Sequence, residues 1–165
     1  GDQMRKIIGV IMMLIVIVAC TQIDCPVENR VYTVYDLLKE DGTTDTLKVD
    51  TLTISTKRAD GTLDTLLSSA VGITWYELAI SYTQPEDEFY YILHDTLANV
   101  YKDTVRVKKE NYQHFESVDC QPAYFHKLTE VQTTHHIIED IEINNSTVNY
   151  NATEEHFHIY FKARY

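Results

Sequence analysis

The sequence predicts an all-β fold, an antiparallel two-sheet β-sandwich of about eight or nine strands, with a small β-barrel as the alternative. Three observations carry this. Twelve Tyr and nineteen Thr are scattered among Val and Ile in short alternating runs, the composition of half-buried strands. Asp-Gly pairs at Asp41-Gly42 and Asp60-Gly61 supply the left-handed residue that tight hairpins require. After residue 30 no stretch holds a sustained helical stripe, and only Tyr124 to Val131 is allowed as a short helix.

In chain order, Leu52-Thr53-Ile54 leads into the second Asp-Gly turn and Thr62-Leu63 leads out of it. Leu47 and Val49 share one phase, whereas Leu52 and Ile54 share the other. A period of two cannot absorb that shift, so a bulge or break is expected at Asp50-Thr51. Tyr76, Leu78, Ile80 and Tyr82 alternate with Glu77, Ala79 and Ser81, as Val105 and Val107 do with Arg106 and Lys108. Phe89 to Leu93 is a continuous apolar run, the pattern of a strand buried on both faces. No Pro-, Gly- or Ser-rich linker divides residues 29–165, so a single β domain is expected there.

The first nineteen residues read differently. Arg5 and Lys6 precede an apolar run from Ile7 to Ala19. The run is too short for a comfortable transmembrane helix and has the form of a secretory signal. Ile17-Val18-Ala19-Cys20 resembles the lipobox of bacterial lipoproteins, which implies cleavage before Cys20 and a lipid on its sulfur. The expected organisation is a signal peptide with short leader over 1–19, a lipidated tether over 20–28 and the domain over 29–165. Without residues 1–19 the formal charge moves from −11 to −12. Such a chain is repelled by nucleic-acid backbones and anionic headgroups alike, so nucleic acid is excluded as a partner and the lipid must hold the protein at the membrane. Cys25 and Cys120 then remain. In an oxidising compartment a Cys25–Cys120 disulfide is the economical expectation, with two buried free thiols as the alternative.

Asp-Thr followed by Leu or Val recurs at Asp45, Asp50, Asp64, Asp95 and Asp103. Turn chemistry accounts for it simply: Asp closes a turn, then Thr and an aliphatic residue start a strand. The triplet also resembles the general O-glycosylation sequon of exported Bacteroidetes proteins, which makes Thr46, Thr51, Thr65, Thr96 and Thr104 candidate acceptors. Asp24-Cys25-Pro26, Asn29-Arg30-Val31-Tyr32, Ser81 to Asp87, His114 to Cys120 and His156 to Phe161 together resemble an uncharacterised family of small Bacteroidetes lipoproteins. That resemblance implies an outer-membrane lipoprotein with no assigned activity. After Cys20, Thr21-Gln22-Ile23-Asp24 lacks an acid-rich surface-export tract, which points to the periplasmic face.

Gly-x-Ser-x-Gly, His-Glu-x-x-His, phosphate-binding Gly-loop and EF-hand patterns are missing. The histidines form the one chemical constellation, six of seven lying after residue 110. His156 and His158 are expected on the outer face of a terminal strand whose inner face is Phe157, Ile159, Phe161 and Ala163. If the preceding strand pairs antiparallel, Asp140 and Glu142 fall near them, and two imidazoles with a carboxylate suit zinc or copper. The plainer account is a polar outer face joined by His–carboxylate contacts. The leading expectation is therefore a non-enzymatic, lipid-anchored envelope module with an envelope partner and no cofactor. A metal-binding lipoprotein and an envelope enzyme with an unrecognised site are the alternatives.

Overall fold

The structure, a computed structural model, describes residues 1–7, 25, 30–150 and 153–163. Among them are ten strands: β1 (Tyr32–Leu37), β2 (Thr51–Lys57), β3 (Leu63–Ala70), β4 (Trp75–Ala79), β5 (Glu86–His94), β6 (Val100–His114), β7 (Ala123–Thr133), β8 (Ile138–Ile143), β9 (Thr147–Val148) and β10 (Phe157–Phe161). They make a four-stranded sheet, β4-β1-β10-β8, and a six-stranded sheet, β3-β2-β5-β6-β7-β9. Each sheet keeps two edges, so the fold is the sandwich and not the barrel. The strand count exceeds the expected nine because the two-residue β9 adds itself to the edge of β7. One pairing departs from the antiparallel expectation: β1 and β10 run parallel, with Tyr35 opposite Phe157.

Alternation builds both inner faces. Asp87, Phe89, Tyr91 and Leu93 of β5 are buried, while Glu88, Tyr90 and Ile92 are half-buried. The apolar run there is thus not a strand buried on both faces. Tyr90 instead lies on the outer face, where its hydroxyl donates to Glu88 and Lys57 sits over its ring. Val105 and Val107 are fully buried as their phase predicts. The core draws on both sheets; within the smaller one the Tyr35 ring stacks on Tyr76 at 4.8 Å and on Phe157 at 4.6 Å. The Tyr76 and Tyr91 hydroxyls, 2.8 Å apart, satisfy one another across the gap between sheets.

The Asp60-Gly61 turn joins β2 to β3 with Gly61 at φ +85° and the Asp60 carboxylate accepting the Thr62 amide at 2.9 Å. Asp41-Gly42 uses the same chemistry but closes only the isolated bridge Leu38 to Thr44. The phase break before β2 is present. Leu47 is buried in a lone bridge with Ile73, Val49 is exposed, and regular pairing begins at Thr51.

The segment from Tyr124 to Val131 is strand, not helix. Lys108 faces Glu130 and Lys109 faces Leu128, so Thr129 is an extra residue in β7. The bulge puts Leu128 and Val131 against the core at a spacing of three, which imitates a helical period.

Between β7 and β8 the chain leaves the larger sheet for the smaller, and the side chain of Asp103 holds that crossover. Its carboxylate is fully buried and accepts the Thr134 hydroxyl and the amides of His136, Ile137 at 2.7 Å and Ile138 at 2.8 Å. Burial works to raise its pKa, and these hydrogen bonds outweigh burial, leaving the carboxyl below its usual range. At the other end of the domain Cys25 and Cys120 form a disulfide across 95 residues of sequence. Cys120→Ser is expected to cost about 2–4 kcal/mol, read as a lower urea midpoint. A midpoint equal to that of wild type would show that the bridge constrains nothing.

Candidate functional site

Strands β8 and β10 pair antiparallel, and their register decides which predicted ligands meet. His158 lies opposite Glu142, and Tyr160 lies opposite Asp140. Glu142 therefore reaches His158, with 3.5 Å from Oε1 to Nδ1, and also accepts the Tyr160 hydroxyl at 2.8 Å. Asp140 instead turns back to accept the amide of Ile141 at 2.9 Å. On the far side of β10, Asp36 of β1 pairs in register with His158. Glu155 reaches the ring Nε2 at 2.9 Å, and that contact lowers its carboxyl pKa. Burial raises the pKa of Asp36, and nearby Glu155 adds to the rise. One imidazole thus sits among three carboxylates.

His156 is not with it. The regular strand begins one residue later, at Phe157, and His156 is fully buried. Its Nδ1 accepts the Val34 amide at 2.9 Å, a bond only a neutral ring can take. Burial pushes its pKa down, against a smaller opposing pull from the Thr147 backbone. The expected outward pair of imidazoles is therefore corrected to one half-buried His158 and one structural His156. Ala163, expected inward, is exposed. Among the described residues no three His, Cys, Asp or Glu side chains are placed to hold a metal ion.

Beside this face opens a cleft of about 980 Å³ between the β1–β2 connection and the outer side of β8 and β10. Glu40, Asp45, Glu139, Asp140 and Glu142 line it, with Lys39, Lys48 and Lys162 among them. Its surface is charged and open, suited to a polar partner.

A second cluster lies inside the sandwich, and the sequence reading missed it. Lys109 of β6 is buried, with Nζ 3.0 Å from the Asp87 carboxylate. It also donates to Ser81 Oγ at 3.0 Å and to the Gln84 carbonyl. A serine beside a lysine resembles a nucleophile and its base, which needs a neutral amine. Here the amine is engaged by Asp87, the Gln84 carbonyl and the Ser81 hydroxyl, which accepts from it, so the arrangement ties strands together. Buried His126 adjoins it, with Nδ1 2.6 Å from Asn111 Oδ1. Burial, aided by the charge of Lys109, lowers its pKa to about 4. The available signal was phase: Asp103, Val105, Val107 and Lys109 all lie on the inner side of β6.

The five Asp-Thr triplets have separate fates. Thr65 on the edge strand β3 and Thr96 in the β5–β6 turn are exposed. Thr46 and Thr51 are half-buried, Thr46 in the wall of the cleft. Thr104 is half-buried in the middle of the larger sheet, its amide bonded to Thr134 Oγ1 at 2.9 Å. Turn chemistry fits Asp95, whose carboxylate accepts the amides of Leu97 and Asn99. It does not fit Asp50 and Asp103, both buried. Cys20 lies outside the described residues, and among these no helix is long and apolar enough to cross a membrane.

No curated protein and no solved structure matches the chain. Residues 51–161 match the model of a family of unknown function, DUF6452, and the chain belongs to that family.

Proposed function

We propose that this protein is an exported, lipid-anchored module of a bacterial envelope, of the kind made by Bacteroidetes, that binds or braces a partner without catalysing a reaction. Cys20 carries the lipid, the domain faces the periplasm from the outer membrane, and the partner is another envelope protein. The observation that carries this reading is the Cys25–Cys120 disulfide. Disulfides persist in oxidising, exported compartments. This one ties the domain to a residue five positions after Cys20, where a lipid tether would enter. The binding reading is supported by the charged cleft beside β8 and β10. Its non-catalytic part is supported by Lys109, Asp87 and Asp103, whose bonds are spent on holding strands. This reading assigns no cofactor. The zinc or copper alternative would have to be built around His158 with Glu142 and Glu155, since His156 already holds a backbone amide.

The test is metabolic labelling of the full chain with palmitate, followed by membrane fractionation. The wild type is expected to take up label and sediment with membranes. Cys20→Ala is expected to lose both properties. An unlabelled wild-type chain in the soluble fraction would sink the reading.

A further inference from the structure

Strand β6 outruns its neighbour β5. Pairing with β5 covers only residues 100–108, and beyond it β6 and β7 continue as a hairpin from Lys109–Leu128 to His114–Ala123. The end of that hairpin is ringed with aromatic side chains. On one face Phe125 stacks with His114 at 4.3 Å, and Tyr112 and Tyr150 meet Phe125 edge-on. On the other face Tyr82 stacks with Tyr124 at 5.2 Å. At the tip Phe115 is 55% exposed and Val118 is 97% exposed. An apolar tip above a belt of amphipathic rings is the composition that settles at a membrane–water interface.

The position of the disulfide supplies the occupant. Cys120 lies two residues past Val118, in the loop at this same tip, and it is bonded to Cys25. Cys25 follows Cys20 by five positions, at most about 18 Å of extended chain. A lipid on Cys20 therefore keeps this end of the domain within that distance of the bilayer. The opposite end of β6 lies about 45 Å away, at a rise near 3.3 Å per residue.

We propose that the β6–β7 tip, with Phe115 and Val118 foremost, is a membrane-contact surface that inserts shallowly into a zwitterionic lipid leaflet. The proposal rests on the lipid-anchor reading and adds the orientation of the domain upon it. Glu116 and Asp119 flank the apolar side chains at the tip. The imidazole Nε2 of His114 lies 3.0 Å from Glu116. The carboxylates of Glu116 and Asp119 disfavour anionic headgroups, so phosphatidylethanolamine and phosphatidylcholine are the surfaces expected to take the tip.

The test uses the full lipidated chain with Trp75→Phe, which removes the one native tryptophan, itself exposed. Either Phe115→Trp or Leu97→Trp is then added, Leu97 being 81% exposed in the turn at the far end of β6. Each variant is reconstituted into phosphatidylethanolamine–phosphatidylcholine vesicles carrying a nitroxide lipid, and palmitate incorporation is measured on the same sample. The expected result is severalfold stronger quenching, with a blue shift, for Phe115→Trp than for Leu97→Trp. Doping with anionic lipid is expected to weaken it. Equal quenching in a palmitate-labelled sample overturns the proposal and leaves the anchor intact. Absence of label overturns both. If the Phe115→Trp variant shows a vesicle-independent blue shift that grows with protein concentration, a second copy covers the tip, and the proposal falls.

Discussion

Asp103→Asn is expected to cost about 3–5 kcal/mol of unfolding free energy, the range for breaking a buried, multiply bonded charge. The carboxylate uses both oxygens. Oδ1 accepts from Thr134 and His136, and Oδ2 accepts the amides of Ile137 and Ile138. An amide in its place sets an NH₂ group against donors in either orientation. Alanine leaves the same backbone amides without their acceptor and is expected to cost at least as much. Urea unfolding at neutral pH with the disulfide intact measures the loss, and a cost below about 1 kcal/mol would mean that the crossover holds itself. The acid response follows from the same bonds. The folded pKa is lowered, so this stabilisation is complete above the usual carboxyl range and is lost as pH falls through the folded value. Asp103→Asn should lack that part of the acid loss.

Lys109→Met is expected to cost a similar 3–5 kcal/mol, because it leaves Asp87 charged, buried and without its ammonium partner. Asp87→Leu with Lys109→Met removes both charges, and that double variant is expected to be more stable than Lys109→Met alone. If the double variant is as unstable as the sum of the two single changes, the two groups are not acting as a pair. The neighbouring His126 reports the same change by its titration. Its pKa of about 4 reflects burial first and the Lys109 charge second, so NMR titration of Lys109→Met should find it higher. His126 is neutral in the fold. Its contribution is complete above the ordinary histidine pKa near 6.5 and is lost as pH falls toward about 4, up to about 3 kcal/mol. His126→Gln should flatten that part of the pH profile.

The architecture was legible wherever alternation and turn chemistry act locally. Val105 and Val107 name the buried face of β6, and Asp60-Gly61 names the hairpin. What escaped was set by pairing between distant segments. The Thr129 bulge disguised β7 as a helical stripe, because an extra residue changes the inward spacing from two to three. Phase placed His156 beside His158, but phase holds only within a strand and β10 begins at Phe157. The β8–β10 partnership was readable, yet its register, Glu142 to His158 and Asp140 to Tyr160, was not. A connection of a dozen residues does not specify it. Asp103 was hidden because Asp-Thr-Val also spells a turn, and only the loop from Thr134 to Ile138 reveals its use.

The parallel pairing of β1 with β10 has a consequence for the order of assembly. Most of the larger sheet pairs strands close in sequence: β2 with β3, β5 with β6, β6 with β7. Such contacts close short loops and form early. The smaller sheet needs Tyr35 beside Phe157, across nearly the whole chain. Its central pairing cannot form until β10 has emerged, and it should be the slow step of folding. Until β10 is available, β1 can pair with β4 along one edge while its other edge stays unmatched. β10 is thus the strand that completes the smaller sheet, and truncation before Phe157 should leave the larger sheet without its cover.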